Sequence, residues 1–336
     1  MKSIIKLTLV ILLMSATKLV SQDIHLTQFY SSPVYLNPAF TGGDVCSRVS
    51  LTYRNQWPGI SKAYNSYLFS IDHYIPTQKI GIGLLIGTDV AGSGGLTTTL
   101  INPLIAYELK VTRALVIRFG VQPGLGIKSI SYKNLLFGDQ IVRGGGVATI
   151  EPTANSRTYF DVGAGALAYT QNFWIGTSFY HLNTPNEALK GEYESVLPIK
   201  YSVHGGYNFS LNNEDDDEKN SFIKKSLSTA FNYRGQQKFD QLDIGVYYMQ
   251  YVFNLGLWYR GIPFLKQYQP GYSNNDAIAV IVGLKAERLN IGYSYDYTIS
   301  KLTNASHGAH EISIAYQLCK TNYNKKKRVR IPCPKF

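Results

Sequence analysis

The chain has 336 residues and a formal net charge of +11, from 33 basic and 22 acidic side chains. Much of this charge lies at the carboxyl end, where residues 320–336 contain seven basic and no acidic residues. The basic balance therefore describes a tail and does not indicate a nucleic-acid-binding surface. After the first residues, no apolar run approaches the roughly 18 residues of a spanning helix, which excludes a helical membrane protein.

Residues 1–21 predict a secretory signal peptide. Two lysines precede an apolar run from Leu7 to Met14, and small residues lead to a cut between Ser21 and Gln22. No cysteine follows the run where a lipoprotein needs one. An exported chain with many alternating segments is best explained by the outer membrane of a Gram-negative bacterium. A secreted β-sandwich or propeller is the competing class.

Residues 22–45 contain too many turn formers and too little alternation for a strand. Pro33 and Pro38 fix their own φ, and each pushes the preceding residue to an extended conformation. We predict that this segment packs inside a barrel formed by the rest of the chain, or against its periplasmic rim. An unpacked leader is the alternative. The predicted contact residues are His25, Phe29, Tyr30, Tyr35, Asn37 and Pro38.

Residues 46–320 alternate apolar with small or polar residues over strand-length segments, which predicts an all-β transmembrane antiparallel β-barrel. In the segment from Leu115 to Lys128 one face suits lipid and the other suits water. The 26 tyrosines suit strands and interfacial girdles. We predict about fourteen strands, at 46–57, 63–75, 79–91, 95–109, 113–128, 157–170, 172–182, 198–211, 223–235, 239–250, 252–261, 276–287, 289–300 and 307–320.

The connections between these strands predict the orientation of the barrel. Even-numbered connections should be short periplasmic turns and odd-numbered ones longer outside loops. The predicted outside loops include 129–156, 183–197 and 262–275. The acidic connection at 212–222 is too long for its even position, so it is either an elaborated turn or a slip in the strand count.

No residue pattern indicates an enzyme, a cofactor or a metal. His307, His310 and Glu311 cluster in sequence, but residues three apart on a strand point to opposite faces. The acidic run from Glu214 to Glu218 lacks the spaced ligands and the turn glycine of a calcium loop. Gly144, Gly145 and Gly146 lack the Lys-Ser/Thr of a phosphate loop and are typical of a surface loop.

Three cysteines lie in a compartment that permits disulfides. Cys46 opens the first predicted strand and Cys319 closes the last, and these strands become neighbours when a barrel closes. The sequence allows three alternatives: a Cys46–Cys319 disulfide, a Cys319–Cys333 disulfide in the tail, or free buried thiols.

The basic carboxyl-terminal tail, residues 321–336, follows an even number of strands and so should emerge in the periplasm. We predict that it docks on an acidic partner; a disordered solubilising tail is the alternative. The predicted docking residues are Lys325, Lys326, Lys327, Arg328, Arg330 and Phe336.

Two motifs resemble the amino-terminal signature of the PorP/SprF family of Bacteroidota. They are QFYSSPVYLNPAFTG at residues 28–42 and YRNQWP at residues 53–58. The resemblance continues through Tyr67, Gly81-Ile-Gly83 and Gly92-Ser-Gly94 to the Cys-Pro-Lys-Phe ending, and so covers essentially the mature chain.

This resemblance implies a non-enzymatic outer-membrane barrel of the type IX secretion system, with some members serving gliding motility. The implied partners are outer-membrane lipid, a large secreted adhesin with a type IX C-terminal signal domain, periplasmic ring proteins and a peptidoglycan-binding lipoprotein. A passive pore for small solutes is the alternative function, because fourteen strands leave room for a channel if nothing blocks the lumen. Arg54, Asn55 and Gln56 either line the lumen or cap the first loop.

Overall fold

A computed structural model gives the fold. It describes residues 23–44, 46–60, 64–92, 94–132, 135–145, 149–150, 156–190, 194–211, 225–262, 267–269, 272–286, 288–300, 307–318 and 331–333.

Fourteen antiparallel strands form one closed barrel. The first strand, β1 (Ser47–Gln56), pairs with the last, β16 (Ala309–Leu318), to close it, with Ser47 opposite Leu318. This confirms the predicted barrel with a non-strand amino-terminal segment. A separate hairpin, β12 (Gln267–Gln269) and β13 (Tyr272–Ser273), lies between two barrel strands. The barrel strands are β1 (Ser47–Gln56), β2 (Tyr64–Ile75), β3 (Ile80–Ala91), β4 (Leu96–Lys110), β5 (Val116–Ser129), β6 (Ser156–Tyr169), β7 (Phe173–Tyr180), β8 (Lys200–Ser210), β9 (Lys225–Gln236), β10 (Phe239–Gln250), β11 (Phe253–Gly261), β14 (Asn275–Lys285), β15 (Leu289–Thr298) and β16 (Ala309–Leu318).

The two faces of each strand differ as the sequence alternation predicts. On β5, Phe119 and Val121 are about half exposed on the outer face, whereas Arg118 and Gln122 are buried on the inner face. The outer surface is therefore an apolar band, and the inner surface carries charged and small residues. Within the described part of the chain, no helix is long and apolar enough to cross a membrane.

The two open ends of the barrel differ in their connections. At one end, which we call the short-turn mouth, the chain returns between β2 and β3, between β6 and β7 and between β10 and β11 within two to four residues. The opposite end, the long-loop mouth, carries the connections of 130–155 and 181–199 and the short helix α2 (Gly138–Val142). Three connections break the pattern: the β3–β4 and β9–β10 turns at the long-loop mouth have only four and two residues, and the acidic β8–β9 connection at the other mouth is long.

The amino-terminal segment, residues 23–44, folds without strands. Its helix α1 (Pro33–Leu36) and a 3-10 turn (Pro38–Phe40) both begin with a proline, whose missing N–H costs nothing at that position. Asn37 links the two turns, because its extended backbone ends α1 and its side chain accepts a hydrogen bond from the backbone N–H of Ala39.

Candidate functional site: the filled lumen

The amino-terminal segment lies inside the barrel. Most of its residues are buried, with Val34, Asn37 and Thr41 fully so. Its hydrogen-bond partners come from strands all around the closed barrel, which only an interior position allows. A segment of this length with its polar groups satisfied by the wall fills the lumen as part of the fold.

Near the long-loop mouth, buried charges clamp Thr27 and Gln28. The carboxylate of Glu311 accepts hydrogen bonds from both backbone N–H groups, at 2.7 and 2.9 Å. The Thr27 hydroxyl donates to Asp296 at 2.6 Å and accepts from Arg54 at 2.8 Å.

Ion pairs within the wall balance this clamp. Arg54 contacts Asp296 at 2.9 Å and Glu311 at 3.1 Å, and Arg260 contacts Asp296 at 3.0 Å and Asp243 at 2.8 Å. All five side chains are at most 6% exposed. Removing one partner from such a network leaves an uncompensated buried charge. The stability of the barrel wall and the binding of the segment are therefore coupled.

In the middle of the lumen, aromatic rings and one amide hold the segment. The Phe29 ring meets Trp258 edge-on with centroids 4.8 Å apart, and Tyr30 meets Trp174 at 5.8 Å. The amide of Asn37 donates to two wall carbonyls, those of residues 166 and 177, at 3.0 Å each. These contacts place aromatic and amide residues of the first motif against the barrel wall.

Toward the short-turn mouth, Arg118 holds the segment by its backbone. Its guanidinium donates to the carbonyl oxygen of Ala39 at 2.9 Å and to that of Thr41, and it pairs with Glu108 at 2.9 Å. The backbone N–H of Gly42 donates to Asp72 at 2.8 Å.

Glycines in the wall allow the segment to approach this closely. A Cβ at Gly120 would lie 2.3 Å from the backbone of Pro38 and Ala39, and one at Gly81 would lie 2.0 Å from the carbonyl oxygen of Thr41. Gly120 on β5 and Gly81 on β3 therefore provide the space that the segment needs beside the wall.

The first described residue, Asp23, is anchored at the long-loop mouth. Its carboxylate lies 2.9 Å from His181 and 2.9 Å from Lys200. His181 also contacts Asp161 at 2.9 Å. Burial lowers the pKa of His181, but the two carboxylates outweigh it and raise the pKa to about 9, so the imidazole is charged at neutral pH.

Residues 331–333 of the carboxyl-terminal segment also lie inside the barrel. Ile331 and Cys333 are 3% and 7% exposed, and they belong to the same apolar cluster as Phe40. The Ile331 side chain lies 2.7 Å from the position of a Cβ at Gly43. The sequence pattern predicted a docking tail and placed no tail residue in the lumen.

The structure brings together the residues predicted for the amino-terminal segment. Phe29, Tyr30, Asn37 and Pro38 are buried in the lumen. Tyr35 is partly buried, and its hydroxyl donates to the carbonyl oxygen of Ile24 at 2.6 Å. The side chain of His25 contacts Arg234.

The structure describes only some of the other predicted residues. Arg54 lines the lumen. Asn55 lies on the opposite face of the strand, where its side chain contacts Asn65. Cys46 is disulfide-bonded. Cys333 is not part of a disulfide, so the Cys319–Cys333 pairing is wrong. Cys319 lies outside the described residues, so a Cys46–Cys319 disulfide stays a prediction. Also outside them are the acidic run Glu214–Glu218 and the predicted docking residues Lys325, Lys326, Lys327, Arg328, Arg330 and Phe336.

The residues tested for metal binding do not converge. His310 contacts Tyr293 on the exposed face, while Glu311 points inward to the amino-terminal segment. No group of three His, Cys, Asp or Glu that could hold a metal occurs among the described residues. Sequence reasoning assigned no contact with the amino-terminal segment to Arg118, Asp296 or Arg260. Their signal was a charge at an inward position of an alternating strand.

Comparisons with known proteins gave a family match and several solved structures of low similarity. The family model described as type IX secretion system membrane protein PorP/SprF matches residues 19–316. The search of curated proteins gave no match.

Several solved membrane channels align over most of this chain. The CymD monoaromatic hydrocarbon channel has 9% identity, with 87% of this chain and 94% of that chain covered and a TM-score of 0.45. The P. putida toluene transporter TodX has 10% identity, with 84% and 93% covered and a TM-score of 0.46. The KdgM porin has 8% identity, with 81% and 99% covered and a TM-score of 0.33. At this level of similarity, these structures carry no argument about function.

Proposed function

Because the chain belongs to the PorP/SprF family of type IX secretion system membrane proteins, as the sequence motifs predicted, we propose that it is a non-enzymatic accessory barrel of that apparatus. It resides in the outer membrane after export by its signal peptide. There it assists the secretion or the surface anchoring of a large adhesin. The barrel serves either general secretion or gliding motility. Its periplasmic side docks to ring proteins and a peptidoglycan-binding lipoprotein.

The filled lumen is the observation that supports an interaction role over a passive pore. A diffusive channel needs an open passage, but here residues 23–44 occupy the interior and contact the wall near both mouths. The anchoring groups are buried ion pairs and backbone hydrogen bonds, which a mobile gate would have to break together. A barrel built in this way offers its two mouths and its outer face to partners.

The carboxyl-terminal segment is the proposed periplasmic docking element. β16 ends at Leu318 at the short-turn mouth, and Ile331 lies in the apolar cluster. The basic residues Lys325, Lys326, Lys327, Arg328 and Arg330 fall between these two points in sequence. They favour an acidic partner surface.

A pull-down tests this function. Tagged protein from outer membranes in mild detergent is analysed by mass spectrometry in three forms. These are the intact chain, a truncation after Lys320, and a variant with the five basic residues at 325–328 and 330 changed to Gln. The third form keeps residues 331–336, so it separates loss of charge from loss of the buried end.

We expect the intact chain to recover a large secreted protein with a type IX C-terminal signal domain, together with periplasmic apparatus proteins. Both altered forms should lose the periplasmic proteins and keep the secreted one. Recovery of the barrel alone from all three forms would contradict the proposal and favour the pore for small solutes.

A further inference from the structure

The contacts of the amino-terminal segment show which mouth each of its ends reaches. At its carboxyl end, Gly42 binds Asp72, close to the β2–β3 turn, and Asp44 accepts a hydrogen bond from Gln317 at 3.2 Å, close to the end of β16. Both partners lie near the short-turn mouth. The segment then continues directly into β1, which begins at Ser47.

The amino end of the segment lies at the opposite mouth. Asp23 is held by His181, which directly follows β7, and by Lys200, which begins β8. Both residues flank the connection of 181–199 at the long-loop mouth. Thr27 is clamped at the same level, because Arg54 is near the last residue of β1 and Glu311 is near the first residue of β16.

We propose that the mature amino terminus is a cell-surface group. Bacterial barrels have short periplasmic turns and longer outside loops, so the mouth that holds Asp23 faces the exterior. Gln22 alone separates Asp23 from the predicted cut after Ser21. The inference uses the barrel orientation and the signal-peptide cleavage of the proposed function, but it does not depend on any secretion partner.

The chemistry of this surface group is specific. The proposed terminal amine directly precedes Asp23 in sequence, and the Asp23 carboxylate pairs with the His181 imidazole and the Lys200 ammonium group. If the proposal holds, acylating reagents that stay outside the cell reach this amine. A return of the terminus to the periplasm would require a second passage through a lumen that the segment already fills.

Surface labelling tests the proposal on whole cells. The probe is an amine-reactive polymer too large to cross the outer membrane, and labelled peptides are identified by mass spectrometry. The protein carries Gln22→Ala, so that the new terminus cannot cyclise onto its own side chain. Two exposed lysines are internal controls: Lys238 in the β9–β10 turn at the long-loop mouth, and Lys79 in the β2–β3 turn at the short-turn mouth.

We expect the α-amine and Lys238 to be labelled equally in intact and permeabilised cells, and Lys79 only after permeabilisation. Labelling of the α-amine only after permeabilisation, as for Lys79, would overturn the proposal. Labelling of Lys79 but not Lys238 in intact cells would also overturn it, because the barrel would be inverted.

If the α-amine reacts with the probe in neither intact nor permeabilised cells, a second variant decides. It carries a short epitope between Gln22 and Asp23, which an antibody detects on intact cells if the terminus is outside. Antibody binding only after permeabilisation or denaturation would overturn the proposal. Because neither readout involves a copurifying protein, failure of the pull-down and failure of this inference are distinguishable.

Discussion

The two ends of the chain both enter the lumen, but they are held in different ways. The amino-terminal segment is bound along its length by buried charges, amides and backbone hydrogen bonds. The carboxyl-terminal end shows three described residues inside, of which Ile331 and Cys333 are buried in the apolar cluster. Directional polar contacts at many points make the first end part of the fold. Burial of Ile331 and Cys333 in the apolar cluster stabilises the second end through the hydrophobic effect.

Deletion of residues 23–44 should have the largest effect, because it removes the end that polar contacts hold in the lumen. We expect a barrel of fourteen strands without its filling to conduct ions, because its lumen is wide enough for a channel. Single-channel conductance in planar bilayers measures the effect, with the intact chain as reference and circular dichroism to verify strand content. Equal conductance from both proteins would show that the segment does not block the passage.

Replacing Arg54 by Ala should have the next largest effect. The change leaves Asp296 and Glu311 short of a buried cation, and loss of one partner of a buried pair costs about 3–5 kcal/mol. Urea unfolding in detergent micelles measures the loss in the free energy of unfolding. Arg157→Ala is the matched control, because Arg157 is exposed at the same mouth, and it should unfold like the intact protein.

Replacing Gly120 by Ala tests the close approach of segment and wall. The new methyl group would overlap the backbone of Pro38 and Ala39, and overpacking of this kind costs about 1–3 kcal/mol. Thermal unfolding in detergent reports the loss. Gly138→Ala, at a position with no atom within 4 Å of the added Cβ, is the control. Equal destabilisation of both variants would argue against tight packing at Gly120.

Replacing Ile331 by Asp should loosen the carboxyl-terminal end and leave the barrel nearly as stable. A carboxylate is unfavourable in the apolar cluster, so the end should leave the lumen and expose Cys333. The rate of Cys333 alkylation by a maleimide measures this exposure, with Ile331→Val as the conservative control. Fast alkylation in the unaltered protein would contradict burial of this end.

The smallest expected effect is a pH dependence at the long-loop mouth. The pKa of His181 is raised from 6.5 to about 9 in the folded protein. Its contribution to stability is therefore fully present below pH 6.5 and is lost as the pH rises through about 9. Thermal unfolding between these values should show a decline that His181→Gln lacks. A parallel decline in both proteins would assign it to other groups.

Much of the fold was predictable because it depends on local patterns. Period-two alternation identified the fourteen strands and their outer faces, and Gly, Pro and Asn clusters marked their ends. Proline content and weak alternation separated residues 22–45 from the strands. For the amino-terminal segment, the same reasoning left the lumen, the periplasmic rim and an unpacked leader open.

The sequence by itself determined that the chain forms a membrane barrel of one family, with charged residues on the inward side. Only the tertiary structure decided which inward charges meet, because alternation specifies a face and not a partner. Thr27 and Glu311 are 284 residues apart, and they meet because closure of β1 on β16 brings Glu311 beside the amino-terminal segment. The position of Ile331 beside Gly43 is also decided by tertiary structure, because burial of a short apolar stretch depends on the space that the folded barrel leaves.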